Sequence, residues 1–229
     1  MEEYSFFYKI SVWILPVLLG VTIHEAAHGW VAWKLGDQTA FNEGRVTFNP
    51  IKHIDIFGTL VLPVILLLAS GGKMAFGYAK PVPVNMWALN KPRQGMILVA
   101  LAGPGSNLIL AILAAFLIHF VESMPGLMQS WLIDNLMMLL LFNLILCIFN
   151  MIPILPLDGG RVIVGILPPS IASQFERLER VGFGIILAAL FVLPWLGEQI
   201  GVDLNFFMWV VAIPATELAK FMIDIVGVF

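Results

Sequence analysis

The chain runs to 229 residues, of which 60% are hydrophobic and only 12% charged. A soluble domain carries about 25% charged residues, so the composition excludes an ordinary soluble fold and points to a multi-span membrane protein. A net charge of −3 with no basic tail gives nucleic acid nothing to bind, and the single cysteine, Cys147, excludes an internal disulfide.

A hydrocarbon core about 30 Å thick takes about 20 apolar residues to cross as a helix. The first run that meets this length covers 8–34. Glu2 and Glu3 stand before it and its apolar character continues to Trp33, so it is read as a span and not as a cleaved signal peptide. "NEGRVTFNP" at 42–50 alternates well enough to predict a short strand. "FGTLVLPVILLLAS" at 57–70 is too short for an easy crossing and contains Pro63, which predicts a re-entrant or shallowly buried segment. The stretch 71–93, rich in Gly, Pro and aromatic residues, is expected to run along the interface. Four further spans are predicted at 96–121, 131–152, 181–201 and 204–223. The expected architecture is an all-α polytopic membrane protein with about five full transmembrane helices, a short re-entrant segment and a small β/loop element at the cytoplasmic interface. No repeat or linker divides it: 1–229 reads as one domain, with a core over 8–168 and two additional helices over 181–223.

Charge orients this arrangement. Lys34, Arg45, Lys52, Lys73, Lys80, Lys91 and Arg93 fall between the first and second full spans, and Arg161, Arg177 and Arg180 between the third and fourth. The loops at 122–130 and 197–203 hold no Lys or Arg. The positive-inside rule then sets the N-terminus outside and the C-terminus in the cytoplasm of a multi-pass protein in the cell membrane, with 57–70 not crossing.

"VTIHEAAHGW" at 21–30 sets two histidines and a glutamate inside the first span. His24 and His28, four residues apart, share one helix face about one turn apart, and Glu25 sits about 100° around from His24. This spacing is the zinc metalloprotease signature, two ligands and a general base. Ionisable residues at membrane depth are costly and functional by default, which raises the motif above a chance match in a soluble helix.

A tetrahedral catalytic zinc takes a third protein ligand and an open position. His53 lies in the first cytoplasmic loop, while His119 and Asp134 lie near the outer ends of their spans. "NMIPILPLDGG" at 150–160 offers a better candidate. Pro153 and Pro156 unwind the helix, Gly159 and Gly160 permit tight turns, and Asp158 projects at the same depth as the histidines.

With these residues the chain resembles the site-2 proteases, intramembrane zinc metalloproteases. The resemblance rests on His24-Glu25-Ala26-Ala27-His28, on "GPGSN" at 103–107 and on Asn150-x-x-Pro153-x-x-Pro156-Leu157-Asp158-Gly159. "FNPIKHIDIFGT" and "YAKPVPVN" bring it nearest the small bacterial and archaeal branch, expected to lack PDZ and CBS domains.

The resemblance implies one Zn²⁺ per chain on His24, His28 and Asp158, with Glu25 as general base and Asn150 as donor to the oxyanion. It also implies a single-span transmembrane protein in the lipid bilayer as substrate. A substrate helix must unwind before hydrolysis, and strand addition would hold it extended. Arg45, Val46, Thr47 and Phe48, or the 71–85 loop, are the candidate edges. Asn107 is read as a close-packing residue that bonds across to a neighbouring helix. His53 is read as an interfacial histidine, with a supporting place beside the site as the alternative for both. Oligomeric state is not legible.

Rival readings explain less. A transporter relaying protons through Glu25, Asp158 and the histidines accounts for intramembrane charge but not for the H-E-x-x-H spacing, and no inverted repeat is evident. A metal-binding adaptor leaves Glu25 without a purpose. A prenyl-protein-processing protease would take a downstream glutamate such as Glu176 or Glu179, but these follow Pro168 and Pro169 in a polar stretch.

Overall fold

The structure is a computed structural model that describes residues 6–69, 77–121 and 126–227. The first helix, α1, spans Phe6–Lys34 and contains Pro16. It stops at Gly36, whose φ of +108° is one that side-chain-bearing residues rarely adopt. Asp37 follows, wholly buried. Its Oδ1 accepts from the Thr39 N–H at 2.9 Å and from Thr39 Oγ1 at 2.6 Å, opening the one-turn helix α2, Thr39–Asn42. Its Oδ2 accepts the Asn85 N–H at 2.6 Å, tying the end of α1 to a stretch far along the chain.

The strand expected over 42–50 does not form, and there is no strand among the described residues. Gly44, at φ +63°, turns the chain, and the Arg45 N–H returns to the Ala40 carbonyl at 2.9 Å. The alternation that suggests a strand is satisfied another way. Arg45 is buried, and Val46 packs against Gly29 of α1. A 3-10 turn, Pro50–His53, and a π turn, Ile56–Val61, lead into α3, Leu62–Ala69. The apolar helical stretch Ile56–Leu68 is about 20 Å long at 1.5 Å per residue, short of a hydrocarbon core. Residue 70 of that predicted segment and the start of the 71–93 run lie outside the described residues.

Residues 77–85 run as irregular chain to a 3-10 turn at Met86–Ala88. Helix α4, Pro92–Val121, and α5, Gly126–Asn150, then pack on α1 as the centre of the bundle. Ala111, Ala114, Ala115 and Ile118 of α4 meet Leu140 and Leu144 of α5 in a dry core. Between hydrocarbon-facing helices there is little hydrophobic driving force, so small residues that let backbones approach carry the association.

The prolines break the chain where the sequence predicts. Helix α5 ends at Asn150 and α6, Asp158–Ile166, begins at the aspartate, with 151–157 unwound between them. A Cβ on Gly160 would stand 2.5 Å from the Leu155 nitrogen, so only glycine lets α6 fold back on its own lead-in. At the other end of α6, Arg93 donates to the Gly165 carbonyl at 3.2 Å and to that of Leu167.

Helix α7, Pro169–Glu176, leads to α8, Glu179–Leu187, which continues through a π turn, Ala188–Val192, into α9, Leu193–Ile200. A second π turn, Met208–Ala212, precedes α10, Ile213–Val226, whose Ala215, Ala219 and Ile223 complete the α4–α5 core. By length and composition four described helices can cross a membrane: Phe7–Lys34, Pro92–Val121, Met128–Asn150 and Glu179–Ile200. The fifth expected span, 204–223, is not among them. Its second half is α10, where Glu217 and Lys220 form an exposed ion pair and Asp224 follows.

Candidate metal centre

The site forms where α1 meets the start of α6. His24 and His28, one turn apart on α1, point Nε2 atoms at each other across 3.1 Å. Asp158, the first residue of α6, brings Oδ2 to 3.3 Å from His24 Nε2 and 3.4 Å from His28 Nε2. All three side chains are buried.

The hydrogen bonds behind the triangle fix the imidazole tautomers. The Val99 carbonyl, which can only accept, lies 2.7 Å from His28 Nδ1, so that nitrogen carries the proton. Asn107 settles His24 in two steps. Its amide nitrogen donates to the Gly20 carbonyl at 3.2 Å and to Asn143 Oδ1 at 2.7 Å. Its oxygen is thereby left to face His24 Nδ1 at 2.6 Å, and that nitrogen must donate. Asn107 and Asn143 are wholly buried, and Asn143 is anchored in turn on the Leu139 carbonyl at 2.8 Å.

Two imidazole lone pairs and a carboxylate oxygen therefore converge. With both rings neutral none of the three can donate to another, and Asp158 Oδ2 is a buried oxygen without a hydrogen-bond partner. Such an arrangement could hold a shared cation. The spacing fits one. Donors about 2.0–2.1 Å from a tetrahedral ion such as zinc stand about 3.3–3.4 Å apart. The small space is kept open by Gly103 on α4, where a Cβ would overlap His28 Nε2 and lie 2.6 Å from His24 Nε2.

The triangle opens on a cavity of about 880 Å³ whose wall includes Glu25, Val82, Asn150, Arg161 and Phe183. Glu25, half-buried, accepts the Val82 N–H on Oε2 at 2.9 Å. Asn150 donates one amide hydrogen to the Leu146 carbonyl at 3.0 Å, which leaves it a second. Across the cavity, Tyr78 and Phe183 meet edge to face at 5.9 Å, and Arg161 pairs with Glu179 at 3.6 Å.

His24, Glu25, His28, Asn150 and Asp158 thus share one site, with Asn107 directly behind His24. The other sequence candidates lie apart from it. Residues 45–48 are not part of the cavity wall, and Arg45 gives its Nη2 to the Lys80 and Pro81 carbonyls. His53 is buried, with Nε2 3.0 Å from the Thr47 carbonyl, outside the cavity wall. Two contributors escape the sequence reading. Asn143 sits in the run "LLLFNLILC", where an amide at membrane depth is itself a signal. Val82 is marked by the prolines on both sides, which leave it the one N–H of that triplet.

The model of the family "Peptidase family M50" matches residues 12–129 of the chain. Among named proteins, YwhC of Bacillus subtilis (strain 168), described as a zinc metalloprotease, is 40% identical over 79% of this chain and 80% of its own length. Rip2 of Mycolicibacterium smegmatis, with the same description, is 29% identical over 82% of this chain and 71% of its own. The regulator of sigma-E protease RseP of Salmonella typhimurium is 27% identical over 53% of this chain and 28% of its own. No solved structure matches the chain.

Proposed function

Since the chain belongs to peptidase family M50, we propose that it is an intramembrane zinc metalloprotease that hydrolyses peptide bonds in or beside the transmembrane segment of single-span membrane proteins. The observation that carries this reading is the convergence of His24 Nε2, His28 Nε2 and Asp158 Oδ2 on one buried point. These three residues would hold the metal. Zinc bound there supplies Lewis acidity and makes water acidic enough to lose a proton near neutral pH.

The chain's own residues do the rest. Glu25 takes the proton of the attacking water and returns it to the leaving amine. Its Val82 hydrogen bond engages Oε2 and leaves the other oxygen for that proton. Asn150, at the end of α5, offers its second amide hydrogen to the developing oxyanion. Asn107 and the Val99 carbonyl hold the two imidazoles in the ligating tautomer.

A substrate helix must be extended before its amides are exposed to attack. With no strand at 42–50, the irregular stretch 77–85 beside Glu25 is the remaining candidate to hold it, and the bulk of Tyr78 and Phe183 suits apolar side chains. The positive-inside distribution supports an N-terminus outside and a site toward the cytoplasm of the cell membrane.

The test is co-expression with tagged single-span proteins. The wild type is expected to shorten at least one of them within its membrane segment, and Glu25→Gln is expected to leave all of them intact. Equal cleavage by Glu25→Gln would remove the glutamate from the chemistry. Signal-peptide remnants and membrane-tethered regulators belong in the same panel.

A further inference from the structure

Arg45 is only 5% exposed, and no carboxylate lies within 4.0 Å of it among the described residues. A guanidinium taken out of water without a counter-ion is costly, so its few contacts must matter. They are both backbone. Arg45 Nη2 donates to the Lys80 carbonyl at 2.7 Å and, more weakly, to the Pro81 carbonyl at 3.4 Å.

The next residue is Val82, whose N–H is given to Glu25. Pro81 and Pro83 have no N–H, so Glu25 holds the only main-chain donor between Lys80 and Val84. No neighbouring strand sets the position of this stretch. Its ends are tied by the Tyr78 N–H to the Gly58 carbonyl at 3.0 Å and by the Asn85 N–H to Asp37, and the loop carrying Arg45 holds the part between them. The Lys80 N–H goes to the His53 carbonyl at 2.9 Å, its carbonyl goes to Arg45, and His53 Nε2 closes the loop on the Thr47 carbonyl.

We propose that Arg45 is a positioning residue for the peptidase reaction: by clamping the Lys80 and Pro81 carbonyls it places the Val82 N–H, and through it the Glu25 carboxylate. It touches neither metal ligand nor reacting atom. The proposal rests on the reading of Glu25 as general base. A lysine keeps the charge of Arg45 but replaces a planar fork of donors with a single ammonium, so it satisfies the two carbonyls less well.

The experiment uses the full chain in detergent and fluorescently labelled casein, an unfolded polypeptide that needs no helix unwinding. Zinc per chain, kcat and KM are measured for the wild type, Arg45→Ala, Arg45→Lys, Val82→Pro and Glu25→Gln. Arg45→Ala is expected to keep its zinc and lose about 10- to 100-fold in kcat, with KM within about two-fold of wild type. Arg45→Lys is expected to fall between the two, and added guanidinium at millimolar concentration to restore part of the Arg45→Ala rate but none of the Glu25→Gln rate. Val82→Pro, which removes the donor and leaves Arg45 in place, is expected to show the same kcat loss. It decides the matter if Arg45→Ala does not fold.

Wild-type kcat in Arg45→Ala or in Val82→Pro overturns the proposal. A rise in KM at unchanged kcat also overturns it, because it makes the stretch a substrate contact only. If Glu25→Gln cleaves casein as the wild type does, the base assignment beneath the proposal fails instead.

Discussion

His24 Nδ1 and Asn107 Oδ1 lie 2.6 Å apart in a contact sealed from solvent, and this bond decides which nitrogen of His24 faces Asp158. A membrane helix thus carries an asparagine whose amide is fully engaged, with Gly20 and Asn143 on the other side. Asn107→Leu removes the acceptor and frees the ring to turn or change tautomer. Changes behind metal ligands cost about 10- to 100-fold in metal affinity, and that range is expected here. Competition with a zinc chelator reads it directly, and unchanged affinity would show that the ring is held without Asn107.

Gly103 and Gly105 lie two residues apart on α4 with opposite surroundings. A Cβ at Gly103 enters the space between the imidazoles, whereas one at Gly105 meets nothing within 4 Å. Gly103→Ala is expected to strip the site of most of its zinc. Gly105→Ala is expected to keep it and to gain up to about 1 kcal/mol from helix propensity. Metal content and thermal unfolding of the pair check both, and a zinc-replete Gly103→Ala would mean that the histidines have room to retreat.

Gly182 of α8 lies against the Leu155 carbonyl, and a Cβ there would overlap that oxygen. Leu155 belongs to the unwound stretch that delivers Asp158. Gly182→Ala should therefore push α8 away from the site and cost about 1–3 kcal/mol of stability. Gly184, with nothing within 4 Å, is the control, and Gly184→Ala should be neutral or slightly stabilising. Chemical denaturation in mild detergent compares them; equal midpoints would mean that α8 shifts without cost.

Asp37 accepts from Thr39 and Asn85 at once, so it holds the end of α1 to the 77–85 stretch. Asp37→Ala takes the buried acceptor away from all three donors, a loss of about 1–3 kcal/mol. A thermal midpoint equal to wild type would show that solvent replaces the carboxylate freely.

Much of the site is legible in sequence because membrane depth makes polar residues conspicuous. His24, Glu25 and His28 stand out in α1, and the proline-broken run before Asp158 shows where the chain must unwind, as the interruption between α5 and α6 does. The four helices able to cross a membrane are legible from apolar length alone. Arg45–Phe48 is misleading because the period-two alternation of the sequence does not track burial here. Arg45 is buried to reach carbonyls, Val46 is half-buried against Gly29 and Phe48 is exposed. The 204–223 run carries Glu217 and Lys220 in its second half, the part that forms α10. The Val82–Glu25 and Asn107–Asn143 bonds join residues 57 and 36 positions apart, and no local pattern announces such partners.

The central claim is that His24, His28 and Asp158 hold one metal ion while Glu25 works beside it. Zinc per chain in the purified wild type, Glu25→Gln and Asp158→Ala tests it most directly. The account predicts about one zinc in the first two and a large loss in the third, as removal of one of three protein ligands demands. Full zinc in Asp158→Ala, or a wild type that neither retains nor rebinds zinc, would contradict it.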